Sequence, residues 1–212
     1  TQTYIANPHG IGKIIDDTIQ YLHRYPKNSA KTLSFAIEEI KPNILAIATC
    51  SGLLTLNLTT NKIDTLLSKP NACVRSIWKY KDYVFLGTYG SGFFIWKNNI
   101  LKEMPLDKNR YLQYTHCFIP DKEGYCWIST NHGLFKCSID ELIQVYNKNT
   151  KSVYYHFFGK KDGMEMTELN GGCNPCALVL KNKTISFPTM DGLLWVNPLT
   201  AIPALPEGNI FI

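Results

Sequence analysis

The 212-residue chain carries 45% hydrophobic and 18% charged residues, enough apolar material for a packed core and too much for wholesale disorder. Its net charge of +5 comes from Lys and Arg scattered along the sequence, without the basic stripe on one face that nucleic-acid binding requires; nucleic acid is not expected as a partner. No apolar run approaches the roughly 20 residues that cross a bilayer as a helix.

Read from its start, the chain repeats one phrase: a short apolar strand, a Thr or a polar stand-in, two or three turn residues, then Gly and a large apolar residue. A weak copy, Tyr4-Ile5-Ala6-Asn7 with Gly10-Ile11, comes first. Leu45-Ala46-Ile47-Ala48-Thr49 with Gly52-Leu53 follows, then Phe85-Leu86-Gly87-Thr88 with Gly92-Phe93. Trp127-Ile128-Ser129-Thr130 with Gly133-Leu134 is the clearest copy, and Ser186-Phe187-Pro188-Thr189 with Gly192-Leu193 the last. The glycines at 10, 52, 92, 133 and 192 are spaced by 42, 40, 41 and 59 residues. A period of about forty is that of stacked four-stranded units such as propeller blades.

Each unit divides into strands A to D. In the second these are Leu33 to Glu39, Ile44 to Thr49, Gly52 to Leu58 and Lys62 to Leu67. The third runs Val74 to Tyr80, Tyr83 to Thr88, Gly92 to Lys97 and Ile100 to Met104. The fourth runs Gln113 to Ile119, Tyr125 to Thr130, Gly133 to Cys137 and, after an insertion, Ser152 to Phe158. The first unit lacks an A strand; the last offers Ala177 to Lys181, Thr184 to Thr189 and Gly192 to Asn197, without a clear D strand. The expected class is therefore all-β, with about five blades of four-stranded antiparallel sheet over residues 1–198.

The columns of the repeat have physical content. Two residues before the Thr position stands a large apolar residue (Ile5, Ile47, Leu86, Ile128, Phe187), and one before it a small one (Ala6, Ala48, Gly87, Ser129, Pro188). With Ile11, Leu53, Phe93, Leu134 and Leu193 after the Gly, both faces of these strands are expected to be covered, as in strands between layers. Trp78, Trp96, Trp127 and Trp195 fall within strands and are expected in core or blade-to-blade packing. The longest spacing hides two insertions. Ser138 to Tyr146 reads as a short helix with Ser138 as N-cap and Glu141 three residues on; Gly159 to Pro175 reads as a long polar loop. Pro198, Pro203 and Pro206 mark residues 199–212 as a linker leaving the array.

Seven cysteines, at 50, 73, 117, 126, 137, 173 and 176, mostly occupy strand patterns, where a free thiol behaves as a small hydrophobe. Cys173-Asn174-Pro175-Cys176 is the close pair; a structural role, a local or partner disulfide, and metal or redox chemistry all remain open for it. The five histidines are dispersed, so no metal site and no cofactor is expected.

The phrase Asp121-x-x-Gly124-x-x-Trp127-Ile128-x-Thr130-x-x-Gly133-Leu134 resembles the repeat of two-component regulator propellers. Tyr155-His156-Phe157, Asp162-Gly163-Met164, Glu168-Leu169-Asn170-Gly171 and Asp191-Gly192-Leu193-Leu194-Trp195-Val196-Asn197-Pro198 are similar to the closing blade of the sensor region in hybrid two-component histidine kinases of Bacteroides-type bacteria. Ala46, Phe85 and Ser186 stand where the repeat has Trp, and of the Gly residues before Thr only Gly87 survives. The resemblance implies the C-terminal part of a seven-bladed propeller, with 199–212 leading to an immunoglobulin-like domain. It implies a periplasmic part of an inner-membrane protein, held to the membrane only by the parent's transmembrane helix. It further implies an oligosaccharide or other glycan-derived ligand, control of carbohydrate-utilisation genes, and a homodimeric parent. The chain opens inside a repeat with no initiator Met or secretory leader, and is expected to be a piece of something longer.

No kinase motif, nucleophile elbow, zinc-protease helix or phosphate loop occurs, so no catalytic residue is assigned. A propeller enzyme acting on polysaccharide, or a protein-interaction scaffold, is the alternative reading. If A is innermost, the B–C turns and D–A links share one face, and ligand contacts are expected there. The candidates are Tyr89, Asn131, His132, Glu165, Glu168, Asn170 and Asp191. Their plainer roles are blade packing for Tyr89, turn propensity for Asn131 and His132, and loop capping for Glu168 and Asn170. An open stack would also expose two blade faces, expected to pair with a second copy or to limit solubility; a monodisperse monomer in light scattering would count against that.

Overall fold

The computed structural model describes residues 2–26, 33–68 and 73–202. Among them lie five antiparallel sheets, each built from strands consecutive in sequence. Sheet 1 holds β1 (Tyr4–Asn7), β2 (Gly10–Ile15) and β3 (Thr18–Arg24). Sheet 2 holds β4 (Ser34–Lys41), β5 (Ile44–Thr49), β6 (Gly52–Asn57) and β7 (Ile63–Leu67). Sheet 3 holds β8 (Cys73–Tyr80), β9 (Tyr83–Tyr89), β10 (Phe93–Lys97) and β11 (Ile100–Glu103). Sheet 4 holds β12 (Thr115–Pro120), β13 (Tyr125–Thr130), β14 (Leu134–Ser138) and β15 (His156–Phe158); helix α1 (Ile139–Tyr146) is inserted before its last strand. Sheet 5 holds β16 (Leu178–Val179), β17 (Ile185–Thr189) and β18 (Gly192–Val196).

The sheets stack around an axis lined by the A strands, with β8 packed between β4 and β12 and β1 beside β4. Four apolar clusters fill the gaps. Ile11, Leu45, Ile47 and Leu56 lie between sheets 1 and 2, and Ala48, Leu53, Val74, Leu86 and Phe94 between sheets 2 and 3. Phe85, Phe93, Phe118, Ile128 and Phe135 lie between sheets 3 and 4, and Trp127, Leu134, Phe158, Ile185 and Phe187 between sheets 4 and 5. Each fully buried side chain of this size stabilises the stack by about 1.5–3 kcal/mol. The expectation of two covered faces holds for the middle sheets. It fails at the end of the stack: Leu193 and Trp195 are each 61% exposed and share a face with Leu178. Trp195 is therefore not a core residue of the described chain, because no further sheet lies against β18 there.

The repeated phrase is a turn clamp. Thr130 donates its hydroxyl to the Gly133 carbonyl (2.9 Å) and accepts the His132 N–H (3.1 Å). Thr49 does the same with Gly52 (3.0 Å) and Ser51 (3.1 Å), and Thr88 with Gly92 (2.6 Å) and Ser91 (3.1 Å). All three threonines are fully buried, so each hydroxyl, out of reach of water, is satisfied by the groups of its own turn. The Gly has its own reason. At Gly133 (φ 151°) a Cβ would press into the Phe158 carbonyl of the outer strand, and at Gly52 (φ 121°) into that of Leu67. The small column is explained likewise: a Cβ on Gly87 would crowd Ser76 and the Thr115 of the next sheet.

The helix forms as expected, with Ser138 Oγ accepting the Glu141 N–H (3.3 Å). Its Tyr146 donates toward Lys97 O (3.0 Å) and Ile100 O (2.9 Å), binding sheet 4 to the outer edge of sheet 3. The A–B turn of sheet 4 is structural as well: Asp121 accepts the N–H groups of Glu123 and Tyr125 and the Trp127 indole N–H, all at 2.9 Å. Strand D of sheet 4 is shorter than expected, and strand A of sheet 5 has two residues. Residues 199–202 stay beside sheet 5, where Thr200 and Ala201 N–H donate to Asn197 O (3.1 and 2.9 Å). The rest of the expected linker lies outside the described residues.

Candidate functional site: the axial face

Each of the three best-formed inner strands carries a β-bulge at the same place. In β4 the pairing slips between Ser34 and Ala36, in β8 between Val74 and Ser76, and in β12 between Thr115 and Cys117. The extra residues are Phe35, Arg75 and His116. A bulge bends its strand and re-aims one side chain, and these three turn toward one another at the face that carries the B–C turns. The Arg75 guanidinium carbon sits 4.1 Å over the Phe35 ring and 5.2 Å from the Tyr89 ring centre. His116 is tilted against Tyr89 with ring centres 6.1 Å apart.

Hydrogen bonds tie the group together. His116 Nε2 is 2.6 Å from Asn131 Oδ1, and Asn131 Nδ2 donates to the Tyr89 hydroxyl (3.3 Å). With the amide oxygen turned to the ring, Nε2 is the protonated nitrogen and Nδ1 carries the lone pair. Nδ1 is buried without a partner, as is Arg75 Nε. Burial pushes the His116 pKa below its usual value, the Asn131 bond opposing and the Arg75 charge reinforcing that shift. The ring is 4% exposed and so is neutral near pH 7. Burial also lowers the Arg75 pKa, although the guanidinium stays charged.

The long loop crosses this group. Leu169 N–H donates to Thr130 O (3.2 Å), Asn170 N–H to Pro188 O (2.8 Å), and Met190 N–H to Glu168 O (3.1 Å), so residues 168–170 strap sheet 4 to sheet 5. Gly171 then lies on the His116 ring, where a Cβ would overlap Nδ1, and Gly172 (φ 83°) lies on Arg75 and Phe35. The segment expected to be a polar loop is thus a packed strap, with Met164 and Leu169 buried in the core between sheets 4 and 5.

The structure divides the sequence-derived candidates. Tyr89, 41% exposed, and Asn131 belong to the axial group. His132 stands beside it, stacked on Tyr111 with ring centres 4.5 Å apart. Glu168 and Asn170 hold the strap through their backbones, and the Glu168 charge acts on His116 from a distance. Glu165 and Asp191 are elsewhere, in a cleft of about 250 Å³ beside Leu193 and Trp195 at the open end of the stack. Sequence reading missed Arg75, His116, Phe35 and the glycine pair. The available signal was in the A strands, where Phe35, Arg75 and His116 occupy equivalent places in successive units.

A disulfide joins Cys50, in the B–C turn of sheet 2, to Cys73 at the start of β8. It fixes this face two residues from Arg75. Cys173 and Cys176 are not bonded to each other: Cys173 is exposed, and Cys176 is buried beside Cys117 with its thiol toward His116 O (3.7 Å). Among the described residues no cluster of His, Cys, Asp and Glu is arranged to hold a metal ion.

No family model and no curated protein matches the chain. Solved structures do. The extracellular domain assigned to a hybrid two component system, BT3049 of B. thetaiotaomicron, superposes with a TM-score of 0.62 at 17% identity, covering 93% of this chain and 32% of that one. The fold is a β-propeller. The computationally designed Ika8 protein matches its blades with a TM-score of 0.58 at 13% identity, over 92% of this chain and 55% of that one. A chain of the nidogen/laminin complex gives 0.57 at 9% identity, over 93% and 74%. At such identities the likeness is one of fold. The five blades span about a third of the length of the B. thetaiotaomicron domain.

Proposed function

We propose that these blades form part of an extracytoplasmic sensor region of a two-component signalling protein and bind a glycan-derived ligand at the axial face. The observation that carries the reading is the set of bulge residues, aimed at one spot beside the exposed Tyr89 ring and the Asn131 amide. An aromatic face and fixed amide and guanidinium donors are what a sugar ring and its hydroxyls require; Tyr89 and Arg75 rest on strands and Asn131 on the tight turn after β13. Two further observations support it. The likeness in fold to a B. thetaiotaomicron extracellular domain favours a sensor, and the Cys50–Cys73 disulfide favours an oxidising compartment such as the periplasm. Among the described residues no helix is long and apolar enough to cross a membrane, so anchoring would fall to another part of a longer protein.

In such a protein the strap reports ligand state to its neighbour, since it touches the site through Gly171 and Gly172 and blade 5 through Asn170 and Glu168. The open faces carrying Trp195 and, at the other end, Ile14 and Ile19 would pack against further blades or a second copy. Calorimetric titration of the chain with a panel of oligosaccharides tests the proposal. Binding by at least one sugar, lost in Tyr89→Ala and Asn131→Ala, is the expected result. Binding that survives both substitutions places the site elsewhere, and hydrolysis of any sugar favours an enzyme.

A further inference from the structure

Arg75 is the unusual member of the axial group. Its guanidinium has no carboxylate partner among the described residues, and its Nε–H is buried without an acceptor. It is held between the Phe35 and Tyr89 rings and under Gly172. A partly desolvated charge without a carboxylate costs stability, and the two ring faces offset only part of that cost. The side chain reaches this position only because β8 spends its bulge on it. Glu168, the carboxylate on the nearby strap, acts on His116 and not on Arg75.

Taking the sensor reading as its premise, we propose that the axial site selects an anionic saccharide, with the Arg75 guanidinium receiving a carboxylate or sulfate on a sugar whose ring lies against Tyr89. Arg presents a planar fork that suits such anions bidentately. The stacked rings hold the fork in place and so reduce the ordering cost of binding. His116 is a positioning residue here: it fixes the Asn131 amide, which in turn fixes the Tyr89 hydroxyl.

The test is a calorimetric comparison of three disaccharides on the intact chain: one ending in glucuronic acid, its glucose-terminated counterpart, and a sulfate ester of that counterpart. The acid or the sulfate should bind at least about 10-fold more tightly than the neutral sugar, the worth of one charged hydrogen bond, and which arm responds identifies the anion. Arg75→Gln should erase that preference, and Arg75→Lys should retain part of it. Should Arg75→Gln fail to fold, Arg75→Lys and a salt titration of the unaltered chain carry the test, since the preference must shrink as ionic strength rises. Tighter binding of the neutral sugar overturns the anion proposal and leaves the sensor reading standing. An anion preference that survives Arg75→Gln, or that ignores salt, overturns the assignment to Arg75. Silence from all three sugars, repeated across the wider panel, overturns both.

Discussion

Thr130 and His116 lie within one register step of each other in blade 4, since Thr130 pairs with Thr115, yet the two positions behave in opposite ways. At the Thr position blades 2, 3 and 4 repeat one residue and one geometry, a hydroxyl clamped to the Gly carbonyl at 2.6–3.0 Å. At the bulge position the same blades repeat the backbone distortion and change the side chain, to Phe35, Arg75 and His116. The frame is uniform because each turn must satisfy the same buried groups. The bulge is free to vary because its side chain leaves the sheet and makes no part of the turn clamp, meeting instead the strap glycines and the B–C turn residues of this face. In the proposed site, ligand chemistry would therefore rest on a structural device that repeats while its contents do not.

Substitutions at the two positions should separate stability from binding. Gly133→Val should be the most damaging, since it forces a branched residue to φ 151° and drives a Cβ into the Phe158 carbonyl; a loss of about 3–5 kcal/mol in urea unfolding is expected. Gly124→Ala, at φ 85° but with open space around it, should cost only the backbone strain of about 1–2 kcal/mol, and a comparable loss at both sites would break the distinction. Next comes the disulfide that ties the blade 2 turn to the strand bearing Arg75. Cys50→Ser/Cys73→Ser should lower stability by about 2–4 kcal/mol for a loop of 23 residues. An unchanged melting curve would mean that this face is held by packing alone. Thr130→Val keeps the shape and deletes the hydroxyl, leaving the His132 N–H without its partner and Gly133 O with only the Thr130 N–H (3.1 Å). It should cost about 1–2 kcal/mol and leave sugar affinity unchanged.

The frame was legible in sequence because period, turn chemistry and burial all act locally. Gly52, Gly133 and the threonines betray themselves by spacing, and Ser138 with Glu141 marks the helix start. The site was legible in part. Tyr89 and Asn131 follow from the rule that B–C turns share a face. Arg75 and His116 do not: with Phe35 they recur at the repeat spacing, but their residue types differ and a bulge is a register slip between two strands that no single strand pattern displays. The Cys50–Cys73 bond was hidden for a similar reason: its partners are 23 residues apart and meet only when blades 2 and 3 stack. Trp195 shows the opposite failure. Its column predicts burial, and only the absence of a following blade in the described structure leaves it in water.

The smallest expected effect is also the one that isolates the bulge position from the frame. Burial holds the His116 pKa below the usual value of about 6.5, so the unfolded chain takes up a proton at higher pH than the folded one. Where the unfolded state binds more protons, stability rises with pH. The His116 contribution is therefore complete above about pH 6.5 and is lost as pH falls toward the depressed folded value. His156, also depressed by burial, has the same sign, which is why the comparison must be a difference. Urea unfolding at pH 7.5 and 5.5, run on the unaltered chain and on His116→Gln, should show a steeper acid-side fall in the former. Glutamine can still donate to Asn131 but takes up no proton, so its curve should keep only the slope due to other groups. Identical slopes would mean that the Gly171 strap opens at no cost when the ring charges. The strap would then be a loose cover, and the bulge residues would be tied to blade 5 less firmly than their packing implies.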